Sequence, residues 1–425
     1  MYLVLYLSKL NNNRKETKKM DAKNYGFSPA GSGKENAIAL NKAIQEEKII
    51  NITVPGIYDV ADTVYLKSGT HLHFSEGVTL RRTEAEDGDN GNLFINEGAF
   101  TGSYDNDICI SGLHLITNGV QSTPAEIGGK KTITGLRGHI ALLYVNKVKL
   151  SEIKILDLSL KDYAIQISDF TDAVVENCHI EGQKDGVHFG PGRGFRVSGC
   201  TFRTDDDAIA LNCFDYSVSN PNCGDIEDGI IENCIDLNGE YAEPFFIRIL
   251  LGGWTQWSKG MTVYHSDAVV HDGRLYRVVM RPDNEAYTSV TPPTHEDGFC
   301  ELDGIRWVRT HKGYKGDELP FTASCRNITV RNSVLCRPRN TQVLIYSSYD
   351  EYVRSYHRGY PVPDVSNIVF ENVQILSECK SAVTIVTKTD PIVFRNCYLG
   401  NNKISQEQNL QMSPYPESEI IIEKQ

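Results

Sequence analysis

No apolar run in this chain approaches the ~18 residues of a membrane-spanning helix, so no membrane span is expected. Basic charge is also short: 43 Lys and Arg stand against 55 Asp and Glu, a formal net charge of -12, without the clustered cations that hold phosphate backbones. No nucleic-acid partner is expected. The 11 cysteines include no Cys-x-x-Cys pair, so neither a zinc site nor a redox motif is indicated, and no metal or other cofactor is expected. Tryptophan is scarce, and its three copies, Trp254, Trp257 and Trp307, fall in one stretch. The apolar run from Tyr2 to Leu7 is too short for the core of an export signal and has no basic residues before it. Ordinary domain sequence starts near Met20, and residues 1–19 read as an uncertain extension.

What is abundant is repetition. The phrases ICISGLHL, VKLSEIKI, VVENCHI, FRVSGCTF, GIIENCIDL, ITVRNSVL, IVFENVQI and IVFRNCYL recur, aligning Leu113, Ile153, Cys178, Cys200, Cys234, Ser333, Val373 and Cys397. The closest of these are 22 to 25 residues apart, and each phrase alternates apolar and polar residues. That period with that alternation predicts a parallel β-solenoid, in which each coil buries its inward side chains only by stacking on the next. The cysteines at the repeat position are expected as a ladder of buried thiols. Cys213 and Cys223 are candidates for a bridge across one loop. Asn177, Asn233, Asn332, Asn372 and Asn396 fall at a bend, where an Asn tolerates left-handed backbone. Upstream, Ala37, Ile38, Leu40, Ala43 and Ile44 have helical spacing, predicting a short amphipathic helix that caps the open end of the solenoid.

Between Cys234 and Ser333 lie 99 residues, too many for ordinary coils, and the composition changes from Trp254 to about Lys315. The expected layout is therefore a capped solenoid over 20–253, a small β-rich insertion over 254–315 and the last coils over 316–425. The insertion, with WSKGMTVYHSDAVVHDGRLYRVVM, Pro292-Pro293 and Trp307, loosely resembles the small chitin-binding type of carbohydrate-binding module. That likeness implies sugar contacts by Trp254 and Trp257, since aromatic faces suit the C–H faces of sugars. Aromatics packed as the core of a small β domain are the other reading.

Two short stretches carry the chemistry. Gln183-Lys184-Asp185-Gly186 and Asp205-Asp206-Asp207-Ala208-Ile209-Ala210 place Asp185 one coil before Asp206 and Asp207, so the three carboxylates can stack on one face. Crowded acids raise one another's pKa, which suits proton donation near neutral pH. In order and spacing, residues 137–212 resemble glycoside hydrolase family 28, the polygalacturonases and their relatives within the pectin-lyase-like superfamily of right-handed parallel β-helices. That family carries Asn-Thr-Asp-Gly and, one coil later, Gly-Asp-Asp-Cys-Ile-Ala-Ile. The resemblance implies that Asp206 is the general acid, that Asp185 and Asp207 activate a water, and that the anomeric configuration inverts, with carboxyls about 6.5–9.5 Å apart. Calcium ligation or bend-stabilising turns are the bland alternative for the acids, with Asp205 the most structural of them.

Two family elements are missing. Its Gly-His-Gly is replaced by Glu243-Pro244-Phe245-Phe246-Ile247-Arg248-Ile249-Leu250, and its Arg-Ile-Lys by Val343-Leu344-Ile345-Tyr346. Without that cation pair a neutral, galactoside-like sugar is expected rather than galacturonate. His188, Arg193, Arg248 and Tyr346 are candidate substrate contacts, with Tyr349 a further stacking residue and Arg137, His139, Lys161 and Asp162 on preceding coils. The expected partner is a polysaccharide or oligosaccharide, the expected state a monomer, and the location, by function, periplasmic or extracellular. A polysaccharide lyase on the same solenoid and a non-catalytic, carbohydrate-binding solenoid are the alternatives. A lyase wants a base and a cation rather than an acidic triplet.

Overall fold

The computed structural model describes residues 20–280, 285–310, 321–348, 354–355, 361–404, 410–412 and 420–423. The chain winds into a parallel β-helix whose coils each contribute to three sheets. One coil runs through Gly192–Ser198, Thr201–Thr204 and Ile209–Asn212; the next runs through Ile226–Glu232, Ile235–Asp236 and Ile247–Leu250. Their pairing is parallel and in register, Phe195 against Gly229, Thr201 against Ile235 and Ala210 against Arg248. The long strands Gly138–Ser151 and Tyr163–Glu176 cross from the third sheet into the first. Apolar residues that alternate along each strand point inward and merge into one core running from Ala22 to Ile404.

The helix Gly33–Glu46 covers the first coils. Ser32 Oγ accepts from the Glu35 amide and Glu35 Oε2 accepts from the Ser32 amide, a capping box that satisfies otherwise orphaned N–H groups. Ala37, Leu40, Ala43 and Ile44 are buried as expected, joined by Ala39. Ile38 is not; at 59% exposure it lies off the buried stripe, because one step along a helix turns the side chain by about 100°.

All five predicted bend asparagines have positive φ, between 50° and 54°. Their amides stack: Asn372 Nδ2 donates to Asn332 Oδ1 at 3.1 Å and Asn396 Nδ2 to Asn372 Oδ1 at 2.7 Å. The thiol ladder also forms, with Cys178, Cys200 and Cys234 buried and Cys200 Sγ accepting from the Cys178 amide at 3.5 Å. The expected Cys213–Cys223 bridge is absent: every cysteine is a free thiol, and Cys213 Sγ instead donates to Ser324 O at 3.3 Å.

The insertion folds as a five-stranded, mostly antiparallel sheet in the order Thr255–Gln256, Ala268–His271, Arg274–Val278, Ile305–Thr310 and Phe299–Leu302, with Met261–Val263 paired to Tyr287–Ser289 beside it. Its own small core contains Val263, Val269, Tyr276, Val278, Ile305 and Trp307. Here the aromatics went to packing. Trp254 is 1% exposed within the solenoid core, and Trp257 packs against the small core with Nε1 donating to Ser289 Oγ at 2.9 Å, so Trp254 is not a sugar platform.

Candidate functional site

The acidic stretches occupy the bend between the second and third sheets, where consecutive coils stack Asp185 on Asp207 and Asp207 on Phe245. Gly186 N donates to Asp207 O at 2.9 Å and Ala208 N to Phe245 O at 3.0 Å. The glycine of the Asp-Gly pair is explained by crowding, since a Cβ on Gly186 would come within 2.6 Å of Ala208 O and 2.8 Å of the Phe202 ring. This stacking brings one oxygen of each of Asp185, Asp206 and Asp207 within 4.8 Å of the others. The wide acid–base separation expected from the sequence is therefore not met by these oxygens. Strands of adjacent coils lie about 4.8 Å apart, and in-register acids inherit that spacing.

Each acid has its own donor or cation. Asp185 is buried; its Oδ2 lies 2.8 Å from His188 Nδ1, and because a carboxylate only accepts, the imidazole proton sits on that nitrogen. Burial raises the Asp185 pKa, but the His188 hydrogen bond and the nearby Lys184 and Arg248 charges outweigh it, so the group stays below the ordinary carboxylate value. Asp207 is equally buried and ion-paired with Arg248 Nε at 2.8 Å. Burial dominates there: against the pull of Arg248, and with repulsion from Asp185, the carboxyl is pushed up to about 6. Asp206 is the one acid that reaches solvent, its side chain 20% exposed, and Lys184 Nζ pairs with it while lying 3.8 Å from Asp185.

The imidazole of His188 is stacked on Tyr163, ring centroids 4.1 Å apart, and its Nε2 accepts from Asn212 Nδ2 at 3.4 Å. Asp215 closes the group, receiving Asn212 Nδ2 at 2.6 Å and Arg248 Nη2 at 3.3 Å. Behind the triplet, Arg339 is fully buried against Asp236 at 2.9 Å and reaches the carbonyls of Pro244, Thr204 and Asp206, while Arg337 holds Asp205 and the Thr204 carbonyl. These two arginines fix the turn that aims the acids. Asp205 is thus a structural partner, as expected from its position.

Of the other sequence candidates, Arg248 and His188 lie in one ladder with Gln166 and Ala210, and Tyr346 pairs with Leu250 in the same sheet, close enough to bear on Arg248. Arg193 lies elsewhere. It sits in the first sheet, 59% exposed and ion-paired with Asp228 at 2.7 Å, because Gly190-Pro191 carries the chain around the corner after His188. His139 and Asp162 belong to a neighbouring buried network with Arg82, and Asp162 also accepts from Ser122. Tyr349 lies outside the described residues. Sequence reading missed Lys184, Asp215 and Arg339. Lys184 had a visible signal, a cation where the family motif carries Thr; Asp215 sits in a loop with no repeat position.

A divalent cation could in principle use three such oxygens. Here, however, Lys184 and Arg248 already sit against the three acids, so the charge a cation would supply is provided by side chains.

Residues 36–222, which include all three acids, match the family model described as the right handed beta helix region. A search of curated proteins finds no significant match. Among solved structures, the N-terminal fragment of bacteriophage Phi29 gene product 12 is similar with 12% identity and a TM-score of 0.51, over 99% of this chain and 65% of that one. The exopolygalacturonase of Thermotoga maritima follows with 11% identity and a TM-score of 0.49, over 95% of this chain and 91% of that one. PfbA, a surface adhesin of Streptococcus pneumoniae, has 14% identity and a TM-score of 0.43, over 95% and 93%. At such identities the likeness concerns the fold: the chain is a right-handed parallel β-helix. Among the described residues no helix is long and apolar enough to cross a membrane.

Proposed function

We propose that the protein is a glycoside hydrolase that cleaves a neutral polysaccharide or oligosaccharide by a carboxylate-based mechanism, inverting as the order of its acids implies. The water enters beside the buried acid pair, because oxygens within 4.8 Å of one another leave no room for it between acid and base. The observation that carries this reading is the convergence of Asp185, Asp206 and Asp207, with Asp207 raised to about 6. In this scheme Asp206, the acid open to solvent, protonates the departing glycosidic oxygen. Asp207, with Asp185 held ionised by His188, takes a proton from the water that attacks the anomeric carbon. Substrate entry would draw Lys184 off Asp206 and free that carboxyl to carry its proton. Four carboxylates, counting Asp215, face two permanent cations, Lys184 and Arg248, and both cations are already paired. Such a net negative site disfavours a uronate and supports a neutral, galactoside-like sugar. An extracellular or periplasmic location follows from a polymeric substrate.

The test is a reducing-sugar assay on neutral and uronic polysaccharides beside Asp206→Asn, with proton NMR of the fresh anomeric product. A product of retained configuration would overturn the inverting scheme, and no release from any glycan would overturn the hydrolase. The cluster of Lys184, His188 and Arg248 favours one second reading, a lyase that abstracts a proton beside a uronate carboxylate. An unsaturated product absorbing in the ultraviolet would establish it.

A further inference from the structure

The seam between solenoid and insertion holds a cleft of about 550 Å³ that no step above uses. Two phenyl rings line it, Phe100 from the solenoid, 44% exposed, and Phe299 from the insertion, 39% exposed. Each ring is braced and still open. The Arg306 guanidinium lies 3.9 Å from the Phe299 ring centre, and Tyr65 is tilted against Phe100 with centroids 6.0 Å apart. The lining also includes Tyr144, Asn222, Arg309, Glu296 and Asp297, so polar groups and charges of both signs accompany the aromatic rings.

Tyr144 is the informative residue. It occupies a bend position with φ of 57°, and the in-register residue of the next coil is Asp169, with φ of 49°. A short Asp or Asn tolerates left-handed backbone through local hydrogen bonds, whereas a bulky aromatic there is an outlier that costs on the order of 1–2 kcal/mol. Something other than the bend calls for the ring. Asn222 donates to Tyr144 Oη at 3.1 Å and to Asp169, fixing the phenol at the cleft wall, while Thr310 Oγ1 donates to Asn222 Oδ1 at 2.7 Å.

One loop walls both this cleft and the acids. Asp215 faces Arg248 on one side, and Asn222 lines the cleft on the other. Arg277 of the insertion clamps that loop by donating to Asp215 O and to Asn220 O, the latter at 2.9 Å.

We infer that the seam cleft is a distal binding subsite for a neutral oligosaccharide chain, whose apolar sugar faces stack on Phe299, Phe100 and Tyr144 while hydroxyls meet Arg309, Glu296 and Asp297. This rests on the glycosidase reading and adds that the substrate is a chain rather than a single sugar. It also moves sugar contact in the insertion from its tryptophans to the seam. Mixed charge with exposed rings is the recognition pattern of an uncharged polyol chain, since neither a cationic nor an anionic ligand would find an excess of the opposite sign.

The experiment is calorimetric titration of Asp206→Asn, alone and with Phe299→Ala, against galactan, glucan and mannan oligosaccharides of increasing length and against the free monosaccharides. Turnover of polymer and of aryl monoglycosides is measured in the active background. Phe299→Ala is expected to weaken binding of the longer oligosaccharides about tenfold, a typical loss for one stacking ring. KM for polymer should rise similarly, with aryl-glycoside turnover unchanged. Phe299 is exposed, so folding is not at stake; Tyr144→Asn, which suits the left-handed backbone, serves as a second variant and should lose long-chain binding without a fall in Tm. Binding and polymer KM unaffected by both variants would overturn the subsite while leaving the hydrolase intact. Failure of every glycan to bind the Asp206→Asn parent would sink the glycosidase reading and the subsite together.

Discussion

Two bends of the same solenoid stack polar side chains one coil apart, and they solve the stacking in opposite ways. At the bend after the first sheet, Asn332, Asn372 and Asn396 each offer a donor and an acceptor, so the ladder satisfies itself without charge. At the bend before the third sheet, Asp185, Asp206 and Asp207 offer only acceptors, and the stack holds together because His188, Lys184 and Arg248 are brought in from around it. A self-complementary ladder can repeat indefinitely along a solenoid. An acidic one cannot, because each added acid needs a donor or cation from outside the stack.

The sharpest way to test that contrast is Asp206→Asn, which makes the acidic bend chemically like the amide one. Turnover should fall by roughly 10²–10⁴-fold while Tm and oligosaccharide affinity hold, checked by initial rates, calorimetry and titration. Unchanged turnover would make the two bends equivalent. Next in size, Arg248→Met strands Asp207 and Asp215 without their shared cation. It should cost about 3–5 kcal/mol in denaturant unfolding at pH 7 and less at pH 5, where Asp207 takes up a proton.

The pH dependence of the parent protein sharpens the same point. Because burial raises Asp207 from 3.8 to about 6, the folded state keeps a proton that the unfolded chain releases. This group's contribution is complete below about pH 4 and is lost as pH rises through about 6, a change on the order of 1–3 kcal/mol. Asp207→Asn should flatten that share of the slope in unfolding curves measured between pH 4 and 8. If Asp207 acts as the base, kcat/KM of the parent rises through the same range; a fall there would make it the acid instead. Smallest is Asn372→Ala, expected to cost about 1 kcal/mol in Tm-derived stability for lost left-handed tolerance. Asn372→Gly should recover most of it if backbone conformation, rather than the amide ladder, sets the cost.

Much of this was legible in the chain. The coil period, the bend asparagines, the thiol ladder and the covering helix followed from alternation and spacing, because a solenoid repeats one local solution. Asp185, Asp206 and Asp207 were legible as neighbours for the same reason. What was not legible lay off the repeat. Trp254 and Trp257 were read as sugar contacts although large aromatics also serve cores, and burial took Trp254 into the solenoid core while Trp257 packs against the core of the insertion. Arg193 was placed with the acids by proximity in sequence, but a corner at Gly190-Pro191 separates it from His188.

The sequence by itself determined the register, since a period near one coil and strict alternation leave a parallel stack as the way to bury the apolar faces. It thereby determined that three acids share one bend. Only the tertiary structure decided their charges: which acid is buried, which meets Lys184 or Arg248, and which opens to solvent. Those depend on residues such as Asp215 and Arg339 that come from other coils and an irregular loop, and pKa answers to distance and burial in space, which no spacing along the chain encodes.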